Sequence, residues 1–240
     1  MVAARYGLRM RREPKPGTWG VLNSSPPGIS VHVSTRRGIA RRDTREEPPH
    51  LMTENSPARC GGEGNGVIVI SGISAAGKSS VAQALAERLD RSAHVRGDSF
   101  RRMIVGGQVN MTAEPDPEAL AQLRLRYRLA AASADAYCAA GFTAIVQDIV
   151  LGEHLAEMAE MIKSRPLAVV VLAPDPDAVL EREQQRAKTG YGPDWQPRDL
   201  DAVLRQSTSR IGLWLDTSGQ TVDETVDEIL KRAWTEGAVS

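Results

Sequence analysis

Apolar residues change their spacing several times after Gly66, and each change predicts an element. Val67-Ile-Val-Ile70 is a continuous β-branched run and reads as a buried strand. Behind it, Val81, Ala84, Leu85 and Leu89 recur at helical spacing and predict a helix to about Asp90. Residues 93–96 form a short second strand ending at Gly97-Asp98, and a brief helical turn follows with Phe100, Met103 and Ile104 on its buried side. Gly106-Gly107 opens a polar connection. The next helix is well punctuated, with Asp116 as N-cap, Pro117 at the first position and Gly141 past the end. Its apolar stripe is Leu120, Leu123, Tyr127, Ala130 or Ala131, Ala134 and Tyr137, with Arg124 and Arg128 on one flank.

Residues 144–146 predict a third strand ending in Gln147-Asp148, and Leu167-Ala-Val-Val-Val-Leu172 a fourth. Asp175-Pro-Asp177 starts a helix that carries Arg182 and Arg186, and the Gly- and Pro-rich residues 188–195 follow as a loop. Residues 211–215 are the fifth strand. The last helix opens on a capping box of Thr221 and Glu224 and buries Val222, Val226, Ile229 or Leu230, and Ala233. Continuous apolar strands alternating with helices imply an α/β fold, a doubly wound five-stranded parallel sheet covered on both faces. Ligands of such sheets gather at the carboxyl ends of the strands, which bring Asp98 and Asp148 towards the turn after the first strand.

Residues 1–65 lack either period and are rich in Pro, Gly, Ser and Arg, so they are expected to form a disordered extension before a domain at 66–240. Met52 offers an alternative start if the gene is read too long. A mitochondrial-type presequence is disfavoured because Glu13, Pro14 and Pro16 interrupt any amphipathic helix. Residues 1–51 hold nine Arg and one Lys against three Glu and one Asp, about +6, so the formally neutral chain keeps about −6 beyond them. That balance disfavours a nucleic-acid partner. Cys60 and Cys138 are too few for a disulfide framework or a zinc site, and the expected setting is a reducing cytoplasm. No run approaches the length of a membrane span.

The chemistry centres on Gly72-Ile-Ser-Ala-Ala-Gly-Lys-Ser79, which fits Gly-x-x-x-x-Gly-Lys-Ser/Thr directly behind a predicted strand, the pattern of a phosphate-binding P-loop. Glycines let consecutive N–H groups turn inward at a polyphosphate, and the following helix presents its positive end. Gly72, Ser74, Ala75, Ala76, Gly77, Lys78, Ser79 and Ser80 are the expected nucleotide contacts. Lys78 reaches the β/γ-phosphates of ATP, and Ser79 binds Mg²⁺. Asp98 can take a proton from an acceptor hydroxyl. Asp148, closing an apolar strand, can hold Mg²⁺ or touch the acceptor. Arg182 and Arg186 fit a mobile lid that neutralises charge on the transferring group.

On these residues, residues 67–234 resemble the small P-loop kinases that modify small molecules, most closely the chloramphenicol phosphotransferase group. The segments concerned are Gly72 to Ser80, Gly97-Asp-Ser99, Gln147-Asp-Ile-Val-Leu-Gly152 and Arg182-Glu-x-x-Arg186. Similar features occur in tunicamycin-resistance proteins, gluconate and shikimate kinases, zeta toxins and polynucleotide kinases. The resemblance implies a hydroxyl-directed phosphotransferase in which Asp98 is the base and Arg124 and Asp148 lie near the acceptor. It also places Asp216-Thr-Ser-Gly219 by the adenine. Two departures stand out: the group's third strand ends in two acids where this chain has Gln147 before Asp148, and the lid continues Ala-Lys-Thr. The other function classes are an NTP-hydrolysing switch, which lacks an Asn-Lys-x-Asp-like motif here, and a polynucleotide-end kinase, which would want stacking aromatics.

Overall fold

The structure, a computed structural model, describes residues 60, 65–112, 114, 116–185 and 196–240. Most of the expected extension, Met52, Arg186 and the 188–195 loop lie outside the described residues. In chain order the elements are β1 (Val67–Ser71), α1 (Lys78–Glu87), β2 (Ser92–Arg96), α2 (Gly97–Arg102), α3 (Pro117–Ala139), β3 (Thr143–Gln147) and α4 (His154–Met161). They continue with β4 (Leu167–Leu172), α5 (Pro176–Gln184), α6 (Pro197–Ser207), β5 (Leu213–Leu215), α7 (Val222–Arg232) and β6 (Ala238–Val239).

Five strands pair in parallel in the order β2-β3-β1-β4-β5. The short β6 adds an antiparallel sixth, pairing Leu167 with Val239. Every residue of β1 and β4 is buried, because helices cover both faces and no side of these strands meets water. The chain runs outward from β1 to β2 and then back through β3, so right-handed crossovers place α1 and α3 on opposite faces. α7 packs beside α1, and α4 beside α3. The register sets Ile70 level with Gln147, and Gln147 level with Arg96. The ends of three adjacent strands therefore open on one crevice.

Local signals account for the boundaries. Asp116 accepts from the Ala119 N–H at 2.7 Å and Pro117 starts α3, while Gly141 at φ 81° turns the chain out of it. Thr221 and Glu224 exchange both bonds of a capping box at the start of α7.

Several expectations need correction. α4, α6 and β6 have no counterpart among the predicted elements. Met103, expected to be buried, is 69% exposed, since α2 ends at Arg102 and leaves no helix to fold it inward. On α3 the buried line ends on Cys138 and Tyr137 is exposed, and on α7 Val222 and Leu230 face solvent while Ile229 is buried. The cysteines are not free thiols: Cys60 and Cys138 form a disulfide with Cα atoms 4.8 Å apart. Separated by 78 positions, they meet because Cys60 lies against the Arg165 carbonyl and Cys138 is on the buried side of α3. That pairing removes the ground for expecting a reducing compartment. No helix among the described residues is long and apolar enough to cross a membrane.

Candidate functional site

The turn between β1 and α1 has the dihedrals that its composition allows. Gly72 sits at φ 144°, and a Cβ there would lie 2.5 Å from the Leu172 carbonyl oxygen. Gly77 at φ 92° is the N-cap of α1, and Ala75 adopts φ 59°, a left-handed conformation costly for a residue with a Cβ. α3 and α7 close their first turns with side-chain caps, whereas α1 has neither a capping side chain nor an acid there. Its first N–H groups and its dipole are thus turned to the crevice. Lys78 is only 6% exposed and lies along the loop, its ammonium donating to the Ile73 carbonyl at 2.6 Å.

The loop forms one wall of a cleft of about 1020 Å³. Ser74, Ala75, Ala76, Gly77, Lys78, Ser79 and Ser80 line it, as do Asp98, Asp148 and Arg182. Nearly all the described residues singled out in the sequence are therefore brought together. Arg124 is not. It is half-exposed and 3.5 Å from Glu157. The α3 arginine in the cleft is Arg126, which sequence reading missed.

Arg126 donates from Nε to Asp148 Oδ2 at 2.6 Å and pairs through Nη2 with Oδ1, a bidentate clamp. Asp148 is 2% exposed and also accepts the Ile149 N–H at 2.7 Å. Burial pulls the Arg126 guanidinium below its ordinary value, and the neighbouring Tyr127 and Asp98 oppose that shift. A Cβ on Gly97 would overlap the Asp148 carboxylate, so glycine at the start of α2 lets β2 and β3 close on the pair. Tyr127 anchors the same turn, its hydroxyl donating to the Ile149 carbonyl at 2.8 Å, and burial pushes that phenol up to about 12.

Asp98 sits in the first turn of α2, accepting from Arg102 Nε at 2.7 Å. Ser79 donates to Gln147 Oε1 at 3.2 Å, so the side chain facing the loop serine is the amide of Gln147 rather than the Asp148 carboxylate. Behind Gln147, His94 contacts Gln83 at 3.0 Å, and burial, with Arg96 adjacent, lowers its pKa to about 4. Its Nε2 is buried with no partner at full hydrogen-bond geometry among the described residues, and the nearby Gln147 side chain only partly opposes the downward shift. At the other end of the cleft, Arg182 donates to the Thr217 carbonyl at 2.5 Å, which fastens α5 to the β5–α7 connection. Its described bonds thus reach the segment expected near adenine rather than the loop. Arg186 lies outside the described residues.

A sequence model of the AAA domain family matches residues 67–210. A comparison with curated protein sequences finds no match. Among solved structures, an unliganded sugar kinase from Janibacter sp. HTCC2649 aligns with TM-score 0.53 at 15% identity, covering 70% of this chain and 93% of that one. The tunicamycin resistance protein of Deinococcus radiodurans aligns with TM-score 0.51 at 15% identity, covering 73% and 99%. The APS kinase CysC of Mycobacterium tuberculosis, in complex with AMPPNP and APS, aligns with TM-score 0.50 at 18% identity, covering 70% and 96%. At these identities the likeness is one of fold, the P-loop kinase arrangement of sheet and helices.

Proposed function

The chain belongs to the AAA domain family, and from that starting point we propose that it is an ATP- and Mg²⁺-dependent phosphotransferase acting on a hydroxyl of a small molecule. The observation that carries this reading is the β1–α1 turn: a left-handed glycine cap, an uncapped and acid-free first helical turn, and a buried lysine lying over the loop. Those features suit a polyphosphate, because the uncapped first N–H groups and the positive end of the α1 dipole are offset by an anion.

Oxygen donors for a hard cation exist in the Ser79 hydroxyl and the Gln147 amide oxygen, 3.2 Å apart. Asp148, expected to share that role, has its carboxylate occupied by Arg126, and its effect on a cation is through charge. Held by those oxygens, Mg²⁺ would neutralise charge on the polyphosphate. Asp98 accepts the proton of the acceptor hydroxyl as its oxygen bonds to the γ-phosphorus. The bridging P–O bond breaks with its electron pair leaving on ADP. Lys78 stabilises the charge that gathers on the transferring group. Arg182, fixed to the Thr217 carbonyl, borders the adenine end.

Calorimetric titration of the full chain with ATP and Mg²⁺, followed by an ADP-release screen of hydroxyl compounds, tests the reading. Lys78→Ala should lose nucleotide affinity and turnover together. Asp98→Asn should bind ATP as the parent does and lose at least ~100-fold in transfer. Equal transfer by Asp98→Asn removes it as the base, and absence of ATP binding removes the proposal.

A further inference from the structure

Facing the phosphate loop, the wall built by β2, α2, α3 and the end of β3 carries Arg96, Arg102 and Arg126 against Asp98 and Asp148. Two carboxylates do not balance three guanidiniums, and they are unequally available. Asp148 is buried and committed to Arg126 and the Ile149 N–H. Asp98 must give up an oxygen to the acceptor hydroxyl if it is the base. In both pairs the arginine uses its Nε and Nη2 atoms, and among the described residues none takes the Nη1 donors of Arg102 and Arg126, which can serve a molecule in the cleft. Arg102 is 72% exposed and stands one helical turn from Asp98. It can keep hold of a ligand while Asp98 handles the hydroxyl.

The rest of the lining points the same way. No aromatic ring lines the cleft among the described residues. A site for an uncharged, largely apolar acceptor would be expected to bury apolar and aromatic side chains against it. Closing such a molecule onto guanidinium donors would strip them of water with nothing in exchange.

We infer that the acceptor carries a fixed negative charge, as phosphate, sulfate or carboxylate, in addition to the hydroxyl that is phosphorylated. The inference rests on the phosphotransferase reading above and narrows its substrate class. Arginine is suited to all three groups, since its planar edge offers paired N–H donors. The γ-phosphate of the nucleotide is the other anion these arginines could serve.

The test uses the full chain saturated with AMPPNP and Mg²⁺, melted at constant ionic strength with matched pairs: ribose and ribose 5-phosphate, glucitol and gluconate, glycerol and glycerol 3-phosphate. The expected result is that the charged member of at least one pair raises the melting temperature and its neutral partner does not. Arg102→Ala, at an exposed position, should then weaken the charged member about tenfold and leave AMPPNP affinity unchanged. Pairs whose members behave alike overturn the inference. So does a loss in Arg102→Ala that falls on AMPPNP alone, which would assign the arginine to the nucleotide. No response to AMPPNP with Mg²⁺ overturns the phosphotransferase reading itself and this inference with it.

Discussion

Replacing Arg126 by methionine keeps most of the side-chain volume and removes one half of a buried ion pair. Asp148 would be left 2% exposed with only the Ile149 N–H to satisfy it. Arg126 is itself only 13% exposed, so water does little to screen the pair. Breaking a pair of this kind costs about 3–5 kcal/mol, most of it the penalty of an uncompensated buried charge. For a domain of this size each kcal/mol lowers Tm by about 2–4 °C, which predicts a fall of roughly 6–20 °C by scanning calorimetry. The sign of the pH dependence follows from the same charge. A carboxylate stranded in the interior takes up a proton more readily, so the deficit should shrink as pH falls. The double variant Arg126→Met, Asp148→Asn should recover much of the loss, because the amide oxygen can still accept the Ile149 N–H and no charge is stranded. A single variant that melts within about 2 °C of the parent, with a deficit independent of pH, would refute the argument that the pair holds α3 to the end of β3.

Gln147→Glu places a carboxylate opposite the Ser79 hydroxyl, so the Mg²⁺ concentration for half-maximal turnover should fall at least about tenfold; an unchanged titration would separate Gln147 from the metal. Cys138→Ser opens a loop of 78 residues, which chain-entropy arithmetic sets at about 4.5 kcal/mol, read as a lower urea midpoint than the oxidised parent and no response to dithiothreitol. His94 is neutral in the fold with a pKa of about 4, below the ordinary value of 6.5 that the unfolded chain keeps. Protonation therefore favours the unfolded state, and His94 withdraws stability as pH falls from about 6.5 through about 4 and adds no pH dependence above that window. His94→Gln should flatten the urea-midpoint profile in that window, and parallel profiles would show that other groups carry the acid sensitivity.

Where one feature of the chain sufficed to specify an element, the element was legible. β4 spans Leu167–Leu172 in both readings because six apolar residues in a row exclude an amphipathic alternative. α3 starts where Asp116-Pro117 puts it, and α7 where Thr221 and Glu224 do. The missed elements lack such signals. α4 is eight residues with no side-chain cap, and β6 is two residues whose pairing exists only because β4 is already in place. α6 follows directly on the Gly- and Pro-rich stretch that hid its start, although Gln196 and Asp199 do form its capping box.

The site divides along the same line. The phosphate loop is local, since eight consecutive residues contain the glycines, the lysine and the serine that its geometry needs, and sequence alone determined it. The far wall is tertiary. Arg124 and Arg126 are two positions apart, about 200° around a helix, so only the seating of α3 on the sheet decides which one enters the cleft. A hint existed, because Arg126 falls between Leu123, Tyr127 and Ala130 on the apolar stripe, where a charge has to find a partner. The partner is Asp148, 22 positions away, and its capture by Arg126 leaves Gln147 to face Ser79. Chain spacing carries no information about such pairings, nor about Cys60 meeting Cys138. They are set by strand register and helix rotation, which the packed core selects as a whole.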